Sequence, residues 1–304
     1  MRLSTFFLAE QSAFLRRRNR EWRHHLQRIR TFIGESLQRA PRDRPVLILG
    51  AGSGLEVPWD LAPGQSTGWD IDPTSRLRTL MRWRRWPDWV FGDLTGSLEE
   101  LQSLARRSIR QPGSDRARNP EVAARRLAGL IPSLHPEPRQ LQQWLELHRP
   151  ALVVSANWMG QLGVVAQRLV EREFGRSSPW PEDPEDPDPL SEALDLWIGR
   201  VLQTHIQLLK ACGAELCLVY DRAVIHGSTP LQLAPFQPEW TRQLQSPGDL
   251  SLSNPLPGMA VETLLPEPIQ WERWLWTISK EQRHLIEAVT WTSRFHQDAI
   301  DKMK

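Results

Sequence analysis

Short unbroken apolar runs alternate along the chain with longer stretches of helical periodicity. VLIL at 46–49 is wholly apolar, the pattern of a strand buried on both faces inside a parallel sheet. Further strands are predicted to end at GWD (68–70) and to run at WVFGD (89–93), ALVVSAN (151–157) and AELCLVYD (214–221). Between them the periodicity predicts a helix from about Glu56, another through Leu77, Leu80 and Met81, and basic helical segments (RRSIR, ARRLAGL) within 96–148. LDLWIGRVLQTHIQLLKACG over 194–213 is a strongly amphipathic helix that ends at Gly213. Ahead of the first strand, Leu15, Trp22, Leu26, Ile29 and Ile33 recur at helical spacing, and PRDRP (41–45) breaks that helix. Beyond residue 226 the pattern weakens: 227–270 is rich in loops and prolines, WLWTIS (274–279) fits a late strand, and 280–293 reads as helical or mixed.

Strands alternating with helices predict an α/β, Rossmann-like fold with a mostly parallel seven-stranded sheet and helices on both faces. The expected organisation is an N-terminal helical cap (1–44) and one domain over 45–304. That domain carries a helical insertion at 96–148 and an acidic, proline-rich loop at 177–190.

The first strand runs into Gly50-Ala51-Gly52-Ser53-Gly54, followed by Leu55 and Glu56. Glycines let a backbone turn tightly and come close to a ligand. Several ligands use such a turn, and spacing separates them. The dinucleotide fingerprint G-x-G-x-x-G needs its third glycine at position 55, where this chain has leucine. The phosphate-binding loop needs a lysine that is absent here. Three more strand ends carry polar residues: Gly68-Trp69-Asp70-Ile71-Asp72-Pro73, Phe91-Gly92-Asp93-Leu94, and Ser155-Ala156-Asn157-Trp158. A carboxylate offers acceptors on two oxygens, so an acid 20 residues past Gly50 suits a two-point grip on a pair of vicinal hydroxyls.

Over residues 45–226 this series resembles the class I S-adenosylmethionine-dependent methyltransferases. The resemblance implies that 45–304 is an S-adenosylmethionine-binding methyltransferase domain. Gly50, Ala51, Gly52, Ser53 and Gly54 would pass under the methionine and ribose, and Asp70 would hold the ribose hydroxyls, with Asp72 as the fallback. Ile71 would pack on adenine, Asp93 and Leu94 would read its edge, and Ser155 would face the methyl end. Ser155 to Trp158 keeps the outer positions of an amino-acceptor motif but lacks its two prolines, a hint of a nitrogen acceptor. One departure stands out: the family has an acid two residues before the first glycine, where this chain has Ile48. Glu56 is the candidate to compensate.

Candidate catalytic residues are Asn157, His25 and Asp221; Trp22, His24 and His226 lie near them in the same reading. His205, inside the amphipathic helix, reads as structural. The implied partner is a small-molecule or peptide acceptor. The alternatives are a non-catalytic S-adenosylmethionine-binding or scaffold module, for which Ile48 and the long insertions speak, transfer of another group such as aminopropyl, and an RNA methyltransferase.

Composition narrows this only slightly. The chain has 304 residues, 40% of them hydrophobic, enough for a substantial core. Net charge is +2, so nucleic acid is not favoured as a partner. The basic charge is nearly all arginine, including Arg16, Arg17, Arg18, Arg20, Arg23, Arg28 and Arg30, and solvated helix faces explain it most simply. The 15 tryptophans against one tyrosine read mostly as packing. Cys212 and Cys217 flank a predicted strand as small core residues, and no metal site is expected. No apolar run reaches a membrane span, and the N-terminus meets Glu10 and Gln11 too early for a signal peptide, so the expected location is cytoplasmic.

Overall fold

The structure, a computed structural model, describes residues 5–7, 22–84, 87–110, 119–175, 188–227 and 251–292. Leu15, Arg16, Arg17, Arg18 and Arg20, and most of the 177–190 and 227–250 stretches, lie outside the described residues.

Helix α1 (Trp22–Arg39) buries Trp22, His25, Leu26, Ile29, Phe32, Ile33 and Leu37 at helical spacing on one face. Strand β1 (Val46–Leu49) is buried throughout, followed by β2 (Ser66–Asp70), α2 (Ser75–Trp83) and β3 (Asp88–Phe91). The 96–148 segment contains α3 (Leu98–Arg110), α4 (Pro120–Leu130), a 3-10 turn at Ile131–Ser133 and α5 (Arg139–His148). Then come β4 (Leu152–Ala156), α6 (Trp158–Phe174), α7 (Pro189–Ala211) and β5 (Glu215–His226). Asp188 starts α7 by accepting the backbone N–H groups of Leu190 and Ser191. The chain closes with β6 (Ser251–Ser253), α8 (Val261–Leu264), β7 (Gln270–Thr277) and β8 (Gln282–Trp291).

Seven strands run in the order β3-β2-β1-β4-β5-β8-β7, and the short β6 pairs with the end of β5. The first five are mutually parallel, β8 is antiparallel to β5, and β7 is antiparallel to β8. The architecture is therefore α/β and Rossmann-like, with a mostly parallel sheet. Successive strand residues face opposite layers. Leu47, Leu49, Val153, Leu216 and Leu218 pack with Leu101, Leu127, Leu145, Leu169 and Trp197 of α3 to α7. Val46, Ile48, Leu152, Val154, Cys217 and Val219 pack with Ile29, Phe32, Ile33 and Leu37 of α1. Each of those α1 side chains stabilises the fold by about 1.5–3 kcal/mol through burial.

Two predicted elements differ. No helix follows the glycine turn: residues 50–65 run as turns and bends. Pro63 and Gly64 end any helix begun at Glu56 within two turns. The sheet face is covered instead by α1, with Val57, Trp59 and Ala62 filling in beside it. The 280–293 stretch is strand β8 rather than a helix. It is buried on both faces from His284 onward, so it shows no alternation of apolar and polar residues. In α2 the apolar Leu77 and Met81 point outward, at 52% and 68% exposure, while Ser75 and Thr79 are buried. Small Thr79 is what fits against Gly54, where an added Cβ would lie 2.8 Å from its hydroxyl oxygen.

Candidate functional site

Parallel strands end together, so the segments after β1, β2, β3 and β4 meet along one rim of the sheet. The first of these is the glycine turn. Gly50, Gly52 and Gly54 all have left-handed backbones, with φ of +65°, +51° and +67°. An added Cβ at Gly50 would lie 2.7 Å from the Trp158 Cβ. Gly50 and Ala51 N–H groups donate to the Trp69 carbonyl at 3.0 and 3.3 Å, and the Gly52 N–H donates to Asp70 Oδ2 at 2.7 Å. Asp70 Oδ1 accepts the Asp72 N–H at 2.8 Å.

Asp70 thus stitches the turn to the end of β2. Burial pushes its carboxyl up from the ordinary 3.8 to about 6, against the lowering effect of the Asp72 and Gly52 N–H groups. This explains how the turn holds without an acid at position 48. Ile48 is fully buried among Val46, Val154 and α1, and Asp70 organises the glycines instead. Glu56 does not bond to the turn; its carboxylate lies 3.6 Å from His25 Nε2. Asp72 is committed to the entry of α2, accepting from Thr74 N–H and hydroxyl at 2.8 Å each.

A cavity of about 310 Å³ opens over this rim, and Gly50, Ala51, Gly52, Ser53, Asp70, Ile71, Asp93, Leu94 and Asn157 all line it. Gly54 and Ser155 do not; Ser155 is fully buried beneath the rim, its hydroxyl without a hydrogen-bond partner. Asp93 spends its carboxylate on its own loop, accepting from Thr95 N–H and hydroxyl and from Leu98 N–H at 2.8–3.0 Å. Asn157 sits at φ +52°, a conformation asparagine tolerates, and its Oδ1 is buried at the cavity without a hydrogen-bond partner. Phe7 and Trp22 bring the N-terminal segment into the wall.

His25 is not a wall residue. It is 1% exposed, stacks on Trp276 at 4.1 Å, and its Nδ1 accepts the Trp274 indole N–H at 3.0 Å. Its lone pair is therefore used inside the core, while His24 is exposed to solvent. His205 is buried against Trp158, with both ring nitrogens unpartnered, and burial pushes it down to about 3. His226 ends β5 on the surface. Asp221 lies just behind the wall, accepting from Gln161 Nε2 at 2.6 Å and bonded to His284 Nδ1 at 3.0 Å. Gln161, Gln282, His284 and Trp276 line the cavity and were not singled out from the sequence. The only sequence signal for His284 and Gln282 is their spacing two apart, which places both on one face of a strand.

Cys217 is buried and its thiol is pushed up to about 12 by burial; Cys212 is half-buried. Among the described residues no group of three or more histidine, cysteine, aspartate or glutamate residues could hold a metal, and no helix is long and apolar enough to cross a membrane.

No protein-family model matches the chain, and no curated protein matches it. Among solved structures it is similar to the N-methyltransferase NodS from Bradyrhizobium japonicum WM9 in complex with S-adenosyl-L-homocysteine. Identity is 11% and the TM-score 0.36, over 90% of this chain and 88% of that one. It is also similar to the DhpI–SAM–HEP complex, at 9% identity and a TM-score of 0.37, over 94% of each chain. At this level of likeness neither neighbour's activity transfers to this chain.

Proposed function

We propose that the chain binds S-adenosylmethionine at this rim and transfers its methyl group to a small-molecule or peptide acceptor. The observation that carries the reading is the contact between Gly52 N–H and Asp70 Oδ2 at 2.7 Å, on the wall of a cavity. A carboxylate already occupies the N–H that a phosphate binder would keep free, and no helix N-terminus follows to supply positive partial charge. Both features oppose a dinucleotide or nucleotide phosphate and suit an uncharged ribose.

Each Asp70 oxygen accepts one backbone N–H, which leaves a lone pair on each for two ribose hydroxyls. Ile71 and Leu94 supply apolar surface for adenine beside Asp93. Asn157 Oδ1, unpartnered and buried, would accept a hydrogen bond at the methyl end. When bound, S-adenosylmethionine supplies a methyl group activated by a positively charged sulfur. The chain's own contribution is position and exclusion of water, and alignment alone is worth about 7–11 kcal/mol of barrier.

Isothermal titration with S-adenosylhomocysteine tests the reading. The wild type is expected to bind, and Asp70→Ala to lose at least tenfold, about 1.4 kcal/mol, for two lost hydroxyl contacts. Absence of wild-type binding at millimolar ligand, or an unchanged constant in Asp70→Ala, would overturn it.

A further inference from the structure

The antiparallel β8 starts at the same end of the sheet where β5 finishes, with His284 opposite Val224. β8 lies three strand spacings from β1, about 14 Å across the sheet. That distance separates a donor end at β1 and β4 from an acceptor end at β5 and β8. His284 lines the cavity at the acceptor end.

Its protonation pattern follows from its neighbours. His284 Nε2 is 3.0 Å from Gln282 Nε2, and an amide nitrogen only donates. Nε2 therefore carries the lone pair, and Nδ1 carries the proton that it donates to Asp221 Oδ2 at 3.0 Å. Asp221 is 1% exposed, and its Oδ1 has no hydrogen-bond partner. It owes this buried position to Gly160, where an added Cβ would lie 2.5 Å from the Asp221 backbone nitrogen. A buried carboxylate on Nδ1 holds the tautomer and orients the ring so that Nε2 presents its lone pair. His25 lies on the far side of Trp276 with its lone pair spent on Trp274, so it cannot substitute. Among the described residues the other charged groups around the cavity are Glu56, Asp70, Asp93 and Arg168.

We propose, resting on the methyl-transfer reading above, that His284 is the general base for a hydroxyl group on a flat, apolar acceptor, with Asp221 as its positioning residue. The acceptor wall is aromatic and apolar: the Trp276 ring is 5.4 Å from His284 and 5.0 Å from Trp22, Ile278 packs in the same cluster, and Leu162 lines the cavity as well. A neutral amine attacks through its own lone pair and sheds its proton afterwards. A phenolic hydroxyl, with a pKa near 10, is protonated at neutral pH and needs a base during attack. The oxygen lone pair forms the new O–C bond as the C–S bond breaks with its electron pair left on sulfur. The O–H pair stays on oxygen, and the proton passes to His284 Nε2, displacing the Gln282 amide, and then to water.

The test has two arms. In ¹⁵N-imidazole NMR of the protein saturated with S-adenosylhomocysteine, His284 should show a protonated Nδ1 and a bare Nε2, and Asp221→Asn should shift it to a mixture. With radiolabelled S-adenosylmethionine, phenol, 2-naphthol and 6-hydroxyindole should be methylated in preference to their matched amines. His284→Asn should cut kcat by about 10²-fold or more while S-adenosylhomocysteine affinity stays within about twofold. The opposite tautomer, undiminished turnover in His284→Asn, or no turnover of any hydroxyl probe by a protein that binds S-adenosylhomocysteine overturns the assignment. A wild type that fails to bind S-adenosylhomocysteine overturns the methyl-transfer reading itself, and the two failures are thereby distinguished.

Discussion

Asp70→Asn isolates a single buried charge at the centre of the site. Its carboxyl rises from 3.8 to about 6 because burial strips it of water. An acid whose folded pKa exceeds its unfolded one holds its proton more tightly when folded. Its contribution to stability is therefore complete below about pH 4 and is lost as the pH rises through about 6. The span between those values is worth about 3 kcal/mol. Asparagine has no proton to exchange here, but its NH₂ must face the N–H of Gly52 or Asp72, a pH-independent cost of about 1–3 kcal/mol. The stability advantage of wild type over Asp70→Asn should be largest near pH 4 and shrink by about 3 kcal/mol by pH 7.5. Urea unfolding of both proteins in half-unit pH steps at constant ionic strength measures it, and the titration of all other groups cancels in the difference. A difference constant to within about 0.5 kcal/mol, or one that grows in favour of wild type as pH rises, would refute the burial cost.

The same charge controls binding: S-adenosylhomocysteine affinity should fall toward tenfold per pH unit below about 6, and calorimetry showing a flat profile from pH 5 to 8 would count against the ribose contact. His205 runs the opposite way, because burial lowers a base from 6.5 to about 3 and stability is lost as pH falls below 6.5. His205→Leu should therefore gain about 2 kcal/mol on wild type between pH 7.5 and pH 5, read by the same urea series. Gly50→Ala should cost about 2 kcal/mol or more, from the left-handed backbone and a Cβ 2.7 Å from Trp158, and should weaken S-adenosylhomocysteine binding in calorimetry. Gly160→Ala should cost about 1–3 kcal/mol in thermal or urea unfolding, because α6 must back away from Asp221; a neutral result would refute that close contact.

Strands β1, β4 and β5 could be read from the chain because burial on both faces in a parallel sheet leaves continuous apolar runs such as Val46 to Leu49. The left-handed turn could be read because three alternating glycines have few other uses, and Asp70 because strand order fixes which ends share a rim. Where local pattern and tertiary cover disagree, the pattern misleads. Glu56 looks like the start of a helix, yet α1 already covers that sheet face and the segment lies flat beside it. Strand β8 is invisible to periodicity because β5, β7 and both layers bury it, and its polar His284 and Glu287 pair with side chains on the neighbouring strands. Asp221 and His284 are 63 positions apart, and nothing local to either announces the other. Side-chain chemistry that depends on one neighbour can be read in a line of residues; a proton held between two strands exists only once the sheet has closed.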